Sequence, residues 1–482
     1  MRIAIFFVIQ IAIGMANIFW HTHVLAQYKQ KASANEKILT FKDFYRQIFE
    51  FHPIVKQAKL LPELARQEIR MARGQFDWKL QGEYLTKSFD KKNYYNFWDS
   101  YLKIPNWIGD FKVGHEHNSG VFLSEENKTP KQGLNYVGLT LPLLRGVIID
   151  ERRATLRQAQ LLNQIAEAER IKIINKVLIS ATKDYWEWYF TYHQAHLLKE
   201  GLHLAQIRYD AVKQRIEQGD LAPIDSVEAK ITLQDRAIQY KQALIELQNM
   251  RLILSNYFWA SNETPLELNE NVIPELFELS SALVSESQLQ ELYNYIEKSH
   301  PEVLKITYKI KQINIEEKLA TNNLLPKVDF SYNFLNSTLT GGQEQFLSPF
   351  QQNYKAGIYV EIPLFLRKER GKLQQIRIKQ LQANYDRTQT IREIRNELQA
   401  AYNNLRNLKE LIDLQRDMVA NYNLLRDAEQ QKFEIGESTL FLVNSREAKL
   451  IEGKIKLESL KSKYEKEKLL LFWVAGVPLW EL

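Results

Sequence analysis

The 482-residue sequence has no cysteine. That excludes disulfides, cysteine-ligated zinc and a lipidated N-terminal cysteine, and it suits an oxidising compartment without requiring one. Neither charge sign is in large excess. The 64 basic and 58 acidic residues leave a net charge of +6, which is not a nucleic-acid footprint. There is no phosphate loop, HExxH helix, dinucleotide fingerprint or GxSxG elbow, so no catalytic and no cofactor-binding residue is assigned. Beyond the N-terminus there is no uncharged apolar run long enough to span a membrane as a helix. If this chain enters a membrane, strands must carry it there. Proline is missing between Val147 and Gly219, and Gly201 is the one glycine inside that stretch.

What is present is a folded composition, 45% hydrophobic and 25% charged. Arg2 precedes an apolar run, Ile3–Trp20, and Val24-Leu25-Ala26 then forms a signal-peptidase site. The polar His21-Thr22-His23 breaks the run before the cut, which favours a cleaved signal over an uncleaved anchor. From Ile149 apolar residues recur at threes and fours (Ile165, Ile171, Ile174, Leu178, Ala181, Tyr185). The run predicts roughly 70 helical residues, about 105 Å, too long for one globular domain. It ends in Gly219–Ala229, GDLAPIDSVEA, and Ile224–Trp259 returns beside it. Glycine permits the left-handed conformation that ends a helix, and Pro223 suits the first turn of the next.

The unit occurs twice. His52-Pro53 recurs as His300-Pro301, 248 residues later, and Phe41, Phe44, Tyr45 and Ile48 meet Leu289, Leu292, Tyr293 and Ile296 at that offset. Gly436–Arg446, GESTLFLVNSR, copies the first bend between helices 366–433 and 440–474. Strand period precedes each long helix. In the first copy it runs over Trp78–Tyr84, Asp110–Glu116 and Tyr136–Leu141, with aromatic loops such as 94–98 between. In the second it runs over Val328–Phe334 and Tyr354–Ile362. Each strand has one apolar and one polar face. Four or five strands per chain cannot close a membrane barrel, and open edges cannot face lipid. The pattern therefore predicts a barrel closed by strands of several chains, continuous with a long helical assembly. Aromatic residues around the strands, Trp78, Tyr84, Phe330, Tyr332 and Tyr354 among them, fit a membrane-interface girdle or sheet-core packing.

This duplicated strand–long-helix unit resembles the TolC family of outer-membrane channel proteins across essentially the whole mature chain. The resemblance rests on the order of elements, the Pro-Leu at each strand-to-helix junction (Pro142-Leu143, Pro363-Leu364), and the bend signature of Gly followed by Ser or Ala and Asp. It implies an α+β membrane protein with an internal two-fold repeat. Very long helical hairpins would form a periplasmic tunnel, and twelve strands, four per chain, would form one trimeric barrel in outer-membrane lipid. It further implies docking on a periplasmic adaptor and an inner-membrane pump of an efflux or type I secretion system, and no enzymatic activity. The alternative from another class is a non-channel, surface-exposed coiled-coil scaffold or adhesin.

On this reading residues 1–26 are the signal peptide, 27–75 an N-terminal helical segment, and 76–146 the first strand region. Residues 147–262 form the first helical hairpin, bent at 219–223, and 263–326 a connector with helices. The second β-hairpin takes 327–365, the second helical hairpin 366–475, bent at 436–439, and the tail 476–482. The insertion 89–133 departs from the family pattern, and its expected place is the extracellular mouth or the outside of the barrel. At the bends, Asp225 matches a family position that narrows and charges the periplasmic entrance, while Leu442 and Ser445 replace the acids of the second copy. Asp225 also reads as a helix cap through Asp225-Ser-Val-Glu228. No metal site is assigned: His115 and His117 lack a third ligand, and His193, His196 and His203 read as helix-surface residues.

Overall fold

The computed structural model describes residues 37–219, 221–276, 284–337 and 353–481. The signal-peptide and leader readings, and the Gly341-Gly342 loop, lie outside the described residues. Helix α1 (Phe41–Phe51) starts at Thr40, whose hydroxyl accepts the Asp43 N–H at 3.0 Å. Helix α2 (Pro53–Arg73) has Pro53 in its first turn, where no N–H is needed. The His52 ring caps it by accepting the Ile54 N–H at 3.3 Å. The second repeat uses the same device: after α5 (Glu286–Ser299), His300 accepts the Glu302 N–H at 3.2 Å and α6 (Pro301–Asn322) begins.

Between α2 and the first long helix stand β2 (Lys79–Phe89), β3 (Lys92–Pro105), β4 (Asp110–Ser119) and β5 (Leu134–Pro142). After α6 come β7 (Lys327–Asn336) and β8 (Tyr354–Glu361). All six form one antiparallel sheet in the order β2-β3-β4-β5-β7-β8. Three expectations are corrected here. The aromatic stretch 94–98 is strand, not loop. The insertion 89–133 is not a separate appendage, because its β3 and β4 are strands of the sheet, between β2 and β5. Among the described residues the chain supplies six strands to this sheet, where the resemblance implies four. A short parallel pair, β1 (Lys37–Leu39) with β6 (Val272–Pro274), lies apart from that sheet.

The long helices are α3 (Glu151–Glu217), α4 (Pro223–Ser255), α7 (Arg367–Glu434) and α8 (Leu440–Val474). At 67 and 68 residues, α3 and α7 each run about 100 Å. On the sheet side, α2, α3, α6 and α7 pack side by side in that order, and α4 and α8 extend the layer on the bend side. Two apolar cores grip the middle. One joins Phe44 and Ile48 to Tyr185, Trp188 and Tyr189 of α3. The other joins Leu289 and Ile296 to Leu398, Leu405, Tyr464 and Leu471. The C-terminal tail seals the seam: Asn175 donates to the Val477 carbonyl at 2.8 Å and accepts the Leu479 N–H at 3.0 Å.

Candidate functional site

The sheet has two chemically different faces. Cross-strand register sets Leu80, Leu102, Val113, Val137, Phe334 and Tyr354 in one row. One residue along each strand, on the other face, the row reads Lys79, Lys103, Lys112, Gly138, Asn333 and Lys355. Side chains alternate across a strand, so one face is apolar and the other carries a band of lysines. Farther from the helices the polar face turns acidic with Glu83, Asp99 and Glu116. The apolar face is open to solvent in a single chain: Leu80 is 82% exposed and Ile358 66%.

The aromatic residues singled out in the sequence fall in two groups. Tyr84 pairs with Trp98 midway along β2 and β3, their rings 6.0 Å apart. Phe330 and Tyr332 lie along β7, and Tyr354 opens β8 at the end away from α7, with Tyr332 stacked on Tyr354 at 5.7 Å. Trp78 precedes β2 and is exposed. The proline junctions lie at the foot of the sheet. Pro142 ends β5, and the Leu143 N–H reaches the Val328 carbonyl at 2.7 Å. Buried Arg153 then ties the connection to α3 through Asp150 and the carbonyls of Gly146 and Val147. Pro363 follows β8, and Leu366, at φ +49°, leads into α7.

At the opposite end, Gly219 has φ +82° and Gly436 φ +80°. Asp225 is not the residue that opens its helix. Pro223 fixes the first turn two residues earlier, so Ala222 is the cap and Asp225 sits in the third helical position. There its carboxylate accepts the Ala222 N–H at 3.2 Å, the return half of a capping box. The second bend is capped by Thr439, whose hydroxyl accepts the Leu442 N–H at 3.4 Å. Leu442 is exposed and Ser445 half-buried one turn on. Ser438 donates to Glu429 at 2.5 Å, and Arg446 lies 3.6 Å from the same carboxylate. The two bends thus share their glycine and differ in their capping chemistry.

Sequence reasoning missed two features here. Ile224, Ile231, Ile238, Ile245 and Leu252 stand exactly one heptad apart along α4, each 56–69% exposed. A seven-residue apolar repeat is a left-handed supercoil seam, and the strict spacing was there to be counted. The second feature is a buried ion pair, Arg208 with Glu447, supported by Asn444, which accepts from Arg208 at 2.8 Å and donates to Thr232 at 3.3 Å. It joins α3, α4 and α8 near the bends, and its partners lie too far apart in sequence for any motif.

Among the described residues no group of three or more His, Asp or Glu is placed to hold a metal ion. His115 bonds Asn135 at 2.9 Å. His196 pairs with Glu200 at 3.3 Å, and His203 is exposed. His193 is not a surface residue: it packs on Tyr189, and burial drives its pKa down to about 4. Among the described residues no helix is long and apolar enough to cross a membrane.

Long helices folded back at two bends, beneath a two-faced sheet, are an arrangement that solved structures share. The whole-chain fold is shared with the Campylobacter jejuni CmeC outer membrane channel, at 13% identity and TM-score 0.62, over 90% of this chain and 85% of that one. It is shared with the outer membrane protein VceC of Vibrio cholerae, at 14% identity and TM-score 0.61, over 90% and 95%. The open-state MtrE outer membrane channel of Neisseria gonorrhoeae gives 11% identity and TM-score 0.62, over 92% and 95%. Residues 292–465 match the family model described as outer membrane efflux protein. No curated protein matches the sequence.

Proposed function

We propose that the chain is the outer-membrane duct of an export system, carrying solutes passively from the periplasmic side to the exterior without catalysis. The observation that carries this reading is the sheet: one apolar face, one charged face and, among the described residues, two edges with no strand partner. A sheet in lipid must close on itself, since unpaired N–H and C=O groups have no partner there. Its strands are 8–14 residues long, against the roughly 9–11 that cross a bilayer.

Closure takes further copies. The heptad stripe of α4 needs an apolar partner, and exposed Leu411, Leu414 and Met418 on α7 supply a stripe of the same kind. Three copies would place six bends around a periplasmic mouth, with Asp225 and Leu442 at its rim. Docking of those bends on a periplasmic adaptor and an inner-membrane pump completes the proposed assembly. The test is the mass of the detergent-purified protein by size exclusion with multi-angle scattering. A trimer supports the duct, and a monomer contradicts it.

A further inference from the structure

The foot of the inserted hairpin is built into the junction between sheet and helices. Its turn, Asn106–Gly109, closes with the Asn106 N–H on the Gly109 carbonyl at 2.8 Å. Trp107 stacks on Phe76, just past the end of α2, with ring centres 5.4 Å apart. Asp110 is held by Lys103 at 2.9 Å and by Arg152, in the first turn of α3, at 2.8 Å. Gly109 lies so close to β5 that a Cβ there would fall 2.2 Å from the Thr140 carbonyl oxygen. The hairpin therefore begins at the level where the host strands begin. Its two faces also continue the host rows without a change of phase. A decoration of the mouth has neither property.

The widths agree as well. Four helices, α2, α3, α6 and α7, stand side by side below the sheet. At 8–10 Å between axes they occupy an arc of about 32–40 Å. Strands about 4.8 Å apart and tilted by about 40° occupy about 37 Å when there are six and about 25 Å when there are four. Six strands match the helical wall beneath them. Direction is also conserved: the sheet is antiparallel throughout, so with six strands its two edge strands, β2 and β8, run oppositely. The β8 of one copy can therefore continue the antiparallel order onto the β2 of the next, and a ring of head-to-tail copies closes.

We propose that the barrel has eighteen strands, six from each of three chains, with β3 and β4 as full-height staves. This rests on the reading of the chain as a trimeric outer-membrane duct. Barrel diameter grows nearly linearly with strand number, so the bore is about 1.5 times that of a twelve-stranded closure, in the range that leaves a water-filled channel. The exit then admits bulky hydrated solutes. Lys103 and Lys112, both contributed by the insertion, add to the lysine band that would face this lumen.

The experiment is single-particle cryo-electron microscopy of the detergent-purified full chain, joined to disulfide trapping in the cysteine-free background. Eighteen strands around one closed barrel, with Val113→Cys/Val137→Cys forming a crosslink and Leu80→Cys/Val137→Cys forming none, is the expected result. A closed trimeric barrel of twelve strands with the hairpin outside it, and the Leu80→Cys/Val137→Cys crosslink present, overturns the eighteen-stranded barrel and leaves the duct intact. Absence of any closed barrel overturns the duct, and this inference with it.

Discussion

The guanidinium of Arg152 meets the carboxylate of Asp110 at 2.8 Å, joining the first turn of a helix of about 100 Å to the foot of an inserted strand. The same guanidinium lies 5.5 Å from the ring centre of Phe76 and 3.3 Å from Asp150. One side chain thus fastens the insertion to both flanking elements. Arg152→Ala removes a charge-assisted bond worth about 1.5–3 kcal/mol and leaves Asp110 with Lys103 alone. The expected outcome is a lower melting temperature of the assembly and faster protease nicking at 106–109, with helix content unchanged by circular dichroism. Equal nicking of both proteins would show that the turn is held by its stacking alone.

Asp225 carries a capping bond and, on the proposed duct, a charge at the mouth. Two substitutions separate these roles. Asp225→Asn keeps an oxygen acceptor for the Ala222 N–H and removes the charge, whereas Asp225→Ala removes both. Loss of a cap costs about 0.5–2 kcal/mol. Cation selectivity in single-channel recordings should fall equally in both variants, while thermal stability should fall only in Asp225→Ala. Unchanged selectivity in both leaves Asp225 as a cap and nothing more.

Gly436 has φ +80°, and a Cβ there would touch nothing within 4 Å. Any penalty for substitution is therefore backbone strain, about 1–2 kcal/mol for an ordinary residue in this conformation and more for a β-branched one. Gly436→Val should lower assembly yield, and Gly436→Asn should come close to the parent, since asparagine tolerates this region. Yields measured by native gel decide it. A normal yield for Gly436→Val would show that the bend does not need its left-handed residue.

Glu465 is 5% exposed, lines the same cleft as Lys42 and Arg46 of α1, and has Lys468 3.9 Å away. Burial raises its pKa to about 7, and Lys468 offsets this only in part. The folded state therefore holds this proton more tightly than the unfolded chain does. Its contribution to stability is fully present below about pH 4.5 and is lost as pH rises through about 7. Glu465→Gln removes that dependence. Its stability relative to the parent should grow between those pH values by on the order of 2–3 kcal/mol, read from urea midpoints at each pH. A constant difference across the range would show that Glu465 is ionised throughout.

How much of this could be read from the sequence differs by element. Helix α8 matches its predicted span, Leu440–Val474, because its apolar period is unbroken and Thr439 caps it. The strand β3 is not legible in the sequence because its polar face also carries rings: Tyr95 and Phe97 stack at 4.5 Å on the side opposite Trp98. With aromatics on both faces, alternation no longer signals a strand. The capping role of Asp225 was legible but placed three residues off, since Pro223 sets the start of the helix before the acid is reached. The link between Arg208 and Glu447 spans 239 residues and depends on three helices meeting, which periodicity cannot announce.

The proposed duct must conduct ions. The measurement that tests it most directly is single-channel recording of the purified protein in a planar lipid bilayer. The account predicts discrete, stable ion conductance from the trimeric fraction, with steps of one size. Silent bilayers loaded with correctly folded protein would contradict it.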